Sequence, residues 1–125
     1  MSPKSTVVLW REIHEIADKV CEHFGLSYGR ILPETRMRAR HYGECWPCQK
    51  CINDERVDET NCNEKIIYIR VHQVNRPRRP LAASTILHTL AHELAHLRVW
   101  RHGPAFDQME RDILDYMLEL GYEVL

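Results

Sequence analysis

The stretch HTLAHELAHLRVWRHGPAF, residues 88–106, places His92 and His96 four residues apart, with Glu93 directly after the first. Its apolar residues recur at helical spacing, so a helix is expected from Ser84 onward through the histidines. On a helix, residues four apart share a face and lie about 6 Å apart along the axis. Two imidazoles so placed can meet on one ion. His88 continues the series, but it lies about 12 Å from His96 along the axis. Zinc–nitrogen bonds are only about 2.0–2.1 Å, so one ion takes one pair. Glu93 favours the pair His92 and His96. It follows the first histidine by one residue, near an ion without ligating it, where a carboxylate can hold and deprotonate a water. His88 has only Thr89 in the equivalent place and is read as a packing or supporting residue.

A zinc that does chemistry needs a third protein ligand and one open position. His102 lies six residues beyond His96. An unbroken helix would turn about 600° over six residues and carry His102 away from the pair. The helix must therefore end between Leu97 and Arg101. Gly103-Pro104 favours that break and a new helix start, with proline in its first turn. The intervening LRVWR has no glycine, so a tight glycine turn is not available. His102 is the favoured third ligand, and Asp107 or Glu110 on the next helix is the alternative.

Upstream, Leu9, Ile13, Ile16, Val20 and Phe24 recur at helical spacing, so residues 6–24 are expected to be a helix, ended by Gly25. Cys21 falls inside it and reads as a small buried apolar residue. Residues 34–42 alternate, with Arg36, Arg38 and Arg40 on one side, and are expected to form a strand with a wet basic face. A cysteine-rich loop, 43–63, follows. KIIYIRVHQV (65–74) is β-branched enough for the interior of a small sheet, and the prolines of NRPRRP (75–80) exclude regular structure. After Pro104, Phe106, Met109, Ile113, Met117 and Leu120 form one stripe closed by Gly121. The fold class is α+β: helix, strand, strand, helix, helix.

Five cysteines sit at positions 21, 45, 48, 51 and 62. Cys45, Cys48 and Cys51 are three residues apart, and Cys62 supplies a fourth thiolate. Four thiolates suit a closed structural zinc, with His41 a substitute ligand. An iron–sulfur cluster is the runner-up.

With 125 residues, 44% apolar and 28% charged, the chain suits one soluble domain. No apolar run approaches a membrane span, and MSPKSTVVLW lacks the apolar core of a signal peptide, so an intracellular location is expected, cytoplasmic or DNA-associated. A net charge of −1 points to no partner in bulk. Locally, Arg36, Arg38, Arg40, Arg76, Arg78 and Arg79 form a basic set that could touch nucleic acid weakly.

HELAHLRVWRHGPAF resembles the zinc peptidases of the SprT-like (Spartan) and YgjP-like group, the minigluzincins. Their signature is H-E-x-x-H, a variable gap, then His, a small residue and a nearby Phe. The corresponding residues here are His92, Glu93, His96, His102, Gly103 and Phe106. The resemblance implies a small zincin-like domain over 1–125, with an N-terminal helix, a short sheet, the H-E-x-x-H helix and a C-terminal helix. It implies a catalytic zinc on His92, His96 and His102, with Glu93 as general base in peptide hydrolysis. SprT-like proteins often carry a zinc ribbon after the catalytic domain, whereas here the cysteines lie between the two strands. The chain is also short of a substrate-binding subdomain, so a restricted or DNA-associated protein substrate is expected. The rival expectation is a non-catalytic, zinc-stabilised module that binds nucleic acid or protein.

Overall fold

The computed structural model describes residues 10–34, 65–72, 81–99 and 101–122, and the backbone of 43–46. Helix α1 spans Trp10–Phe24 and buries Ile13, Ile16 and Val20 of the expected stripe together with Ala17 and Cys21; Phe24 is half-buried, and residues 6–9 of the expected helix, Leu9 among them, lie outside the described residues. Gly25 ends it at φ 69°, and the amide of Leu26 donates to the Cys21 carbonyl at 2.9 Å. This is the left-handed closure that glycine adopts without a Cβ penalty. Burial pushes the Cys21 thiol up to about 12, so it is an inert core group.

Strands β1 (Arg30–Pro33), β2 (Gly43–Trp46) and β3 (Ile66–Ile69) form a sheet in the order β1-β3-β2. β3 is central. It pairs parallel with β1 (Arg30 opposite Ile66) and antiparallel with β2 (Gly43 opposite Ile69). Two expectations need correction. β1 was not expected at all; it is four residues long and ends in Pro33, which is tolerated because β1 is an outer strand here. The cysteine-rich segment does not begin as a loop, because its first four residues, with Cys45 among them, are strand β2. The expected strand 34–42 falls between β1 and β2; apart from Glu34 it lies outside the described residues, as do 47–64 and 73–80.

Helix α2 (Ala83–Ala95) lies over the sheet and buries Ile86, Leu87, Leu90, Ala91, Leu94 and Ala95. Its exposed edge carries His88, which is solvent-exposed and does not take the packing role expected of it. Helix α3 (Pro104–Glu119) packs on α2 and α1 through Phe106, Met109, Ile113 and Met117. Leu120, expected in this stripe, is 37% exposed because the helix has closed by then. Gly121, at φ 96°, donates to the Leu118 carbonyl, and Tyr122 to that of Met117. Each fully buried side chain of this stripe contributes about 1.5–3 kcal/mol, which fixes α3 against α2 and the site between them.

The turn after α2 is held by two cations. The amides of Leu97 and Val99 donate to Leu94 and Ala95, which tightens the last turn. Lys65, only 2% exposed, donates from Nζ to the Leu97 carbonyl at 3.1 Å. Arg98 reaches across to the Phe24 carbonyl at the end of α1. Both put positive charge where a helix ends in unpaired carbonyls. Replacing Lys65 with methionine leaves the Leu97 carbonyl buried without that donor. The expected loss is about 1.5–3 kcal/mol of unfolding free energy, read from the midpoint of a denaturant titration. A loss below about 0.5 kcal/mol, the usual surface effect, would contradict this role.

Candidate metal centre

His92 and His96 project from one face of α2, as four-residue spacing requires. His96 caps the helix directly after its last residue, Ala95, with φ −64° and ψ −18°. Among the described residues of this turn, Leu97, Arg98, Val99 and Arg101, none takes a positive φ, and His102 stands just ahead of Pro104 at the start of α3. There its Nε2 stands 3.3 Å from His92 Nε2 and 3.1 Å from His96 Nε2. Ligand atoms of the three histidines lie within 4.8 Å of one another, and no other such group of three occurs among the described residues.

These distances can be compared with a metal site. In a tetrahedron with zinc–nitrogen bonds of about 2.0–2.1 Å, neighbouring nitrogens are about 3.3–3.4 Å apart. The two Nε2 separations to His102 approach that edge. Two imidazole nitrogens share at most one proton, so three converging nitrogens are better satisfied by a cation. His92 and His96 are half-buried and His102 is exposed, so the centre opens to solvent on the His102 side. The cluster is compatible with zinc binding.

Phe106 is the floor. It is 2% exposed, and its ring centroid lies 4.8 Å from His92, 4.5 Å from His96 and 4.8 Å from His102. An apolar ring behind three imidazoles restricts their rotamers and shields one side of the site. Glu93, one residue after His92, is 4% exposed and belongs to the inner face of α2.

Of the two alternative third ligands, Asp107 is exposed and lies outside the cluster. Glu110 is near the cluster but on the far side of the His92 ring: its Oε2 lies 2.6 Å from His92 Nδ1. Sequence reasoning weighed Glu110 only as a ligand. The signal for its actual place was its position four residues after Phe106, on the same face of α3.

Cys45 stands in β2, while Cys48, Cys51, Cys62 and His41 lie outside the described residues. The basic set Arg36, Arg38, Arg40, Arg76, Arg78 and Arg79 also lies outside them. No described helix is long and apolar enough to cross a membrane.

No protein-family model matches the chain, and no curated protein matches it in sequence. In structure it is similar to Wss1 from Saccharomyces cerevisiae, with a TM-score of 0.66, 15% identity, and coverage of 89% of this chain and 77% of that one. At this identity the likeness shows a shared fold.

Proposed function

We propose that the chain is a zinc-dependent peptidase whose catalytic zinc is held by the Nε2 atoms of His92, His96 and His102. The observation that carries this reading is the convergence of the three nitrogens at 3.1 and 3.3 Å on the open side of α2. The H-E-x-x-H spacing, the resemblance to SprT-like peptidases and the Wss1-like fold support it.

Held by these three histidines, zinc would supply a Lewis acid for the scissile carbonyl and would lower the pKa of a bound water. Glu93 takes a proton from the attacking water as its oxygen bonds to the carbonyl carbon. It then gives that proton to the nitrogen as the carbon–nitrogen bond breaks. Glu93 directly follows His92 in the chain and is 4% exposed, which screens its carboxylate from bulk water. Phe106 keeps the imidazoles aimed at one point.

His102→Ala tests the ligand set. Four ligands in structural zinc sites share about 10–16 kcal/mol of binding, or about 3 kcal/mol each. Zinc affinity is therefore expected to fall roughly 100-fold or more, measured by competition with a chromophoric chelator. Unchanged affinity in this variant, with loss in Asp107→Ala, would transfer the third ligand to the carboxylate.

A second, structural zinc is proposed on Cys45, Cys48, Cys51 and Cys62. Its binding energy would add directly to folding. Cys48→Ser is expected to remove one zinc per chain and to lower the melting temperature, seen by elemental analysis beside thermal unfolding. Full zinc content with an unchanged melting point would remove this site, and visible absorbance would make it an iron–sulfur centre. The substrate class proposed is a restricted or DNA-associated protein. The basic set then gives weak DNA binding that fades as salt rises, and tight salt-resistant binding with no cleavage of any unfolded protein would favour a binding module instead.

A further inference from the structure

Glu110 carries a separate inference, which rests on the metal reading of the histidine cluster. Its Oε2 is 2.6 Å from His92 Nδ1, with the carboxylate side chain 29% and the imidazole 39% exposed. The other nitrogen of the same ring, Nε2, faces His102 at 3.3 Å. An ionised carboxylate can only accept a hydrogen bond. The ring therefore donates from Nδ1, and in neutral imidazole the lone pair is left on Nε2.

From this geometry we infer that Glu110 is a positioning residue. It holds the His92 proton on Nδ1, fixes the ring plane, and keeps Nε2 as the electron-pair donor at the centre of the cluster. The carboxylate also polarises the N–H, which makes Nε2 a stronger donor to a cation. The fold accounts for its place. Phe106 is locked beneath the three imidazoles, and Glu110 sits one helical turn later on the same face of α3. The register that packs Phe106 also delivers the carboxylate to His92. Glu110 is thus excluded as a third ligand, since it occupies the ring nitrogen facing away from the cluster.

Two variants separate hydrogen bond from charge. Glu110→Gln keeps a carbonyl oxygen that can accept from Nδ1 but removes the charge. Glu110→Ala removes both, and alanine at a partly exposed helical position preserves the helix. Two readouts apply. Nitrogen-15 NMR of the zinc-free protein, above the ordinary imidazole titration range, reports which His92 nitrogen carries the proton. Chelator competition reports zinc affinity.

Wild type and Glu110→Gln are expected to show the proton on Nδ1, and Glu110→Ala to move toward Nε2–H, the form a free imidazole prefers. Zinc affinity is expected to fall roughly 10- to 100-fold in Glu110→Ala, and less in Glu110→Gln. A wild type with its His92 proton on Nε2 would overturn the inference. So would zinc-binding protein whose affinity is the same in wild type and Glu110→Ala. A wild type that takes up no zinc while His92 keeps its proton on Nδ1 in a Glu110-dependent way supports the positioning role and rejects the metal reading alone.

Discussion

Glu93→Gln is expected to keep its full zinc content and to lose peptide hydrolysis, with kcat falling by roughly 100- to 10,000-fold, the range for removal of a general base. The amide has nearly the shape of the carboxylate, so the core around α2 accepts it. What changes is basicity: an amide oxygen cannot take the proton of the attacking water. Because Glu93 is 4% exposed, bulk solvent does not substitute for it freely. KM is expected to change little, since the proton transfer belongs to the transition state. The paired measurement is elemental analysis and steady-state hydrolysis of an unfolded protein on one preparation. Loss of zinc from this variant would make Glu93 a ligand, and unchanged kcat would remove it from the chemistry.

Phe106→Ala is expected to damage fold and site together. A buried phenylalanine cut to alanine costs about 3–5 kcal/mol through lost transfer energy and the cavity left behind. At 2% exposure Phe106 belongs to this class. It also touches all three imidazoles, at centroid distances of 4.5 to 4.8 Å. Removing the ring frees their rotamers, so zinc affinity is expected to fall even where the variant is folded. Phe106→Leu fills most of the volume without the flat ring and separates the effects. It is expected to recover most of the stability and less of the affinity. Affinity that tracks stability across both variants would reduce Phe106 to a core residue.

How much of this was legible beforehand depends on how local each feature is. The meeting of His92 and His96 was readable because four-residue spacing puts two side chains on one face of any helix. His102 was favoured over Asp107 and Glu110 because Gly103-Pro104 marks a helix restart that lets the chain swing back, with the two carboxylates left open. Gly25 and Gly121 announced their helix ends through the backbone freedom that those turns use. Strand β1 was silent because Arg-Ile-Leu-Pro has no alternation, and its partner Ile66 is far along the chain. Cys45 looked like part of a loop because its cysteine neighbours dominate the pattern, yet it pairs opposite Ile67 in the sheet. Lys65 gave no signal either. A lysine before an apolar strand reads as solvent-exposed, and only the turn at Leu97 supplies the buried carbonyl that it meets. The Glu110 contact is intermediate: its helix face was readable from Phe106, but which histidine nitrogen it meets depends on how α3 packs on α2.

The proposed role of a zinc at His92, His96 and His102 is to enable hydrolysis. It is tested most directly by stripping the protein of metal and reloading the cluster with zinc in steps while following cleavage of an unfolded protein. Activity is predicted to be absent in the stripped protein, to rise with zinc, and to level off when one equivalent has bound at the histidine cluster, with His102→Ala failing to recover at the same free zinc. Zinc bound at the three histidines with no cleavage at any loading would contradict the peptidase reading, and full activity in the stripped protein would contradict the role of the metal.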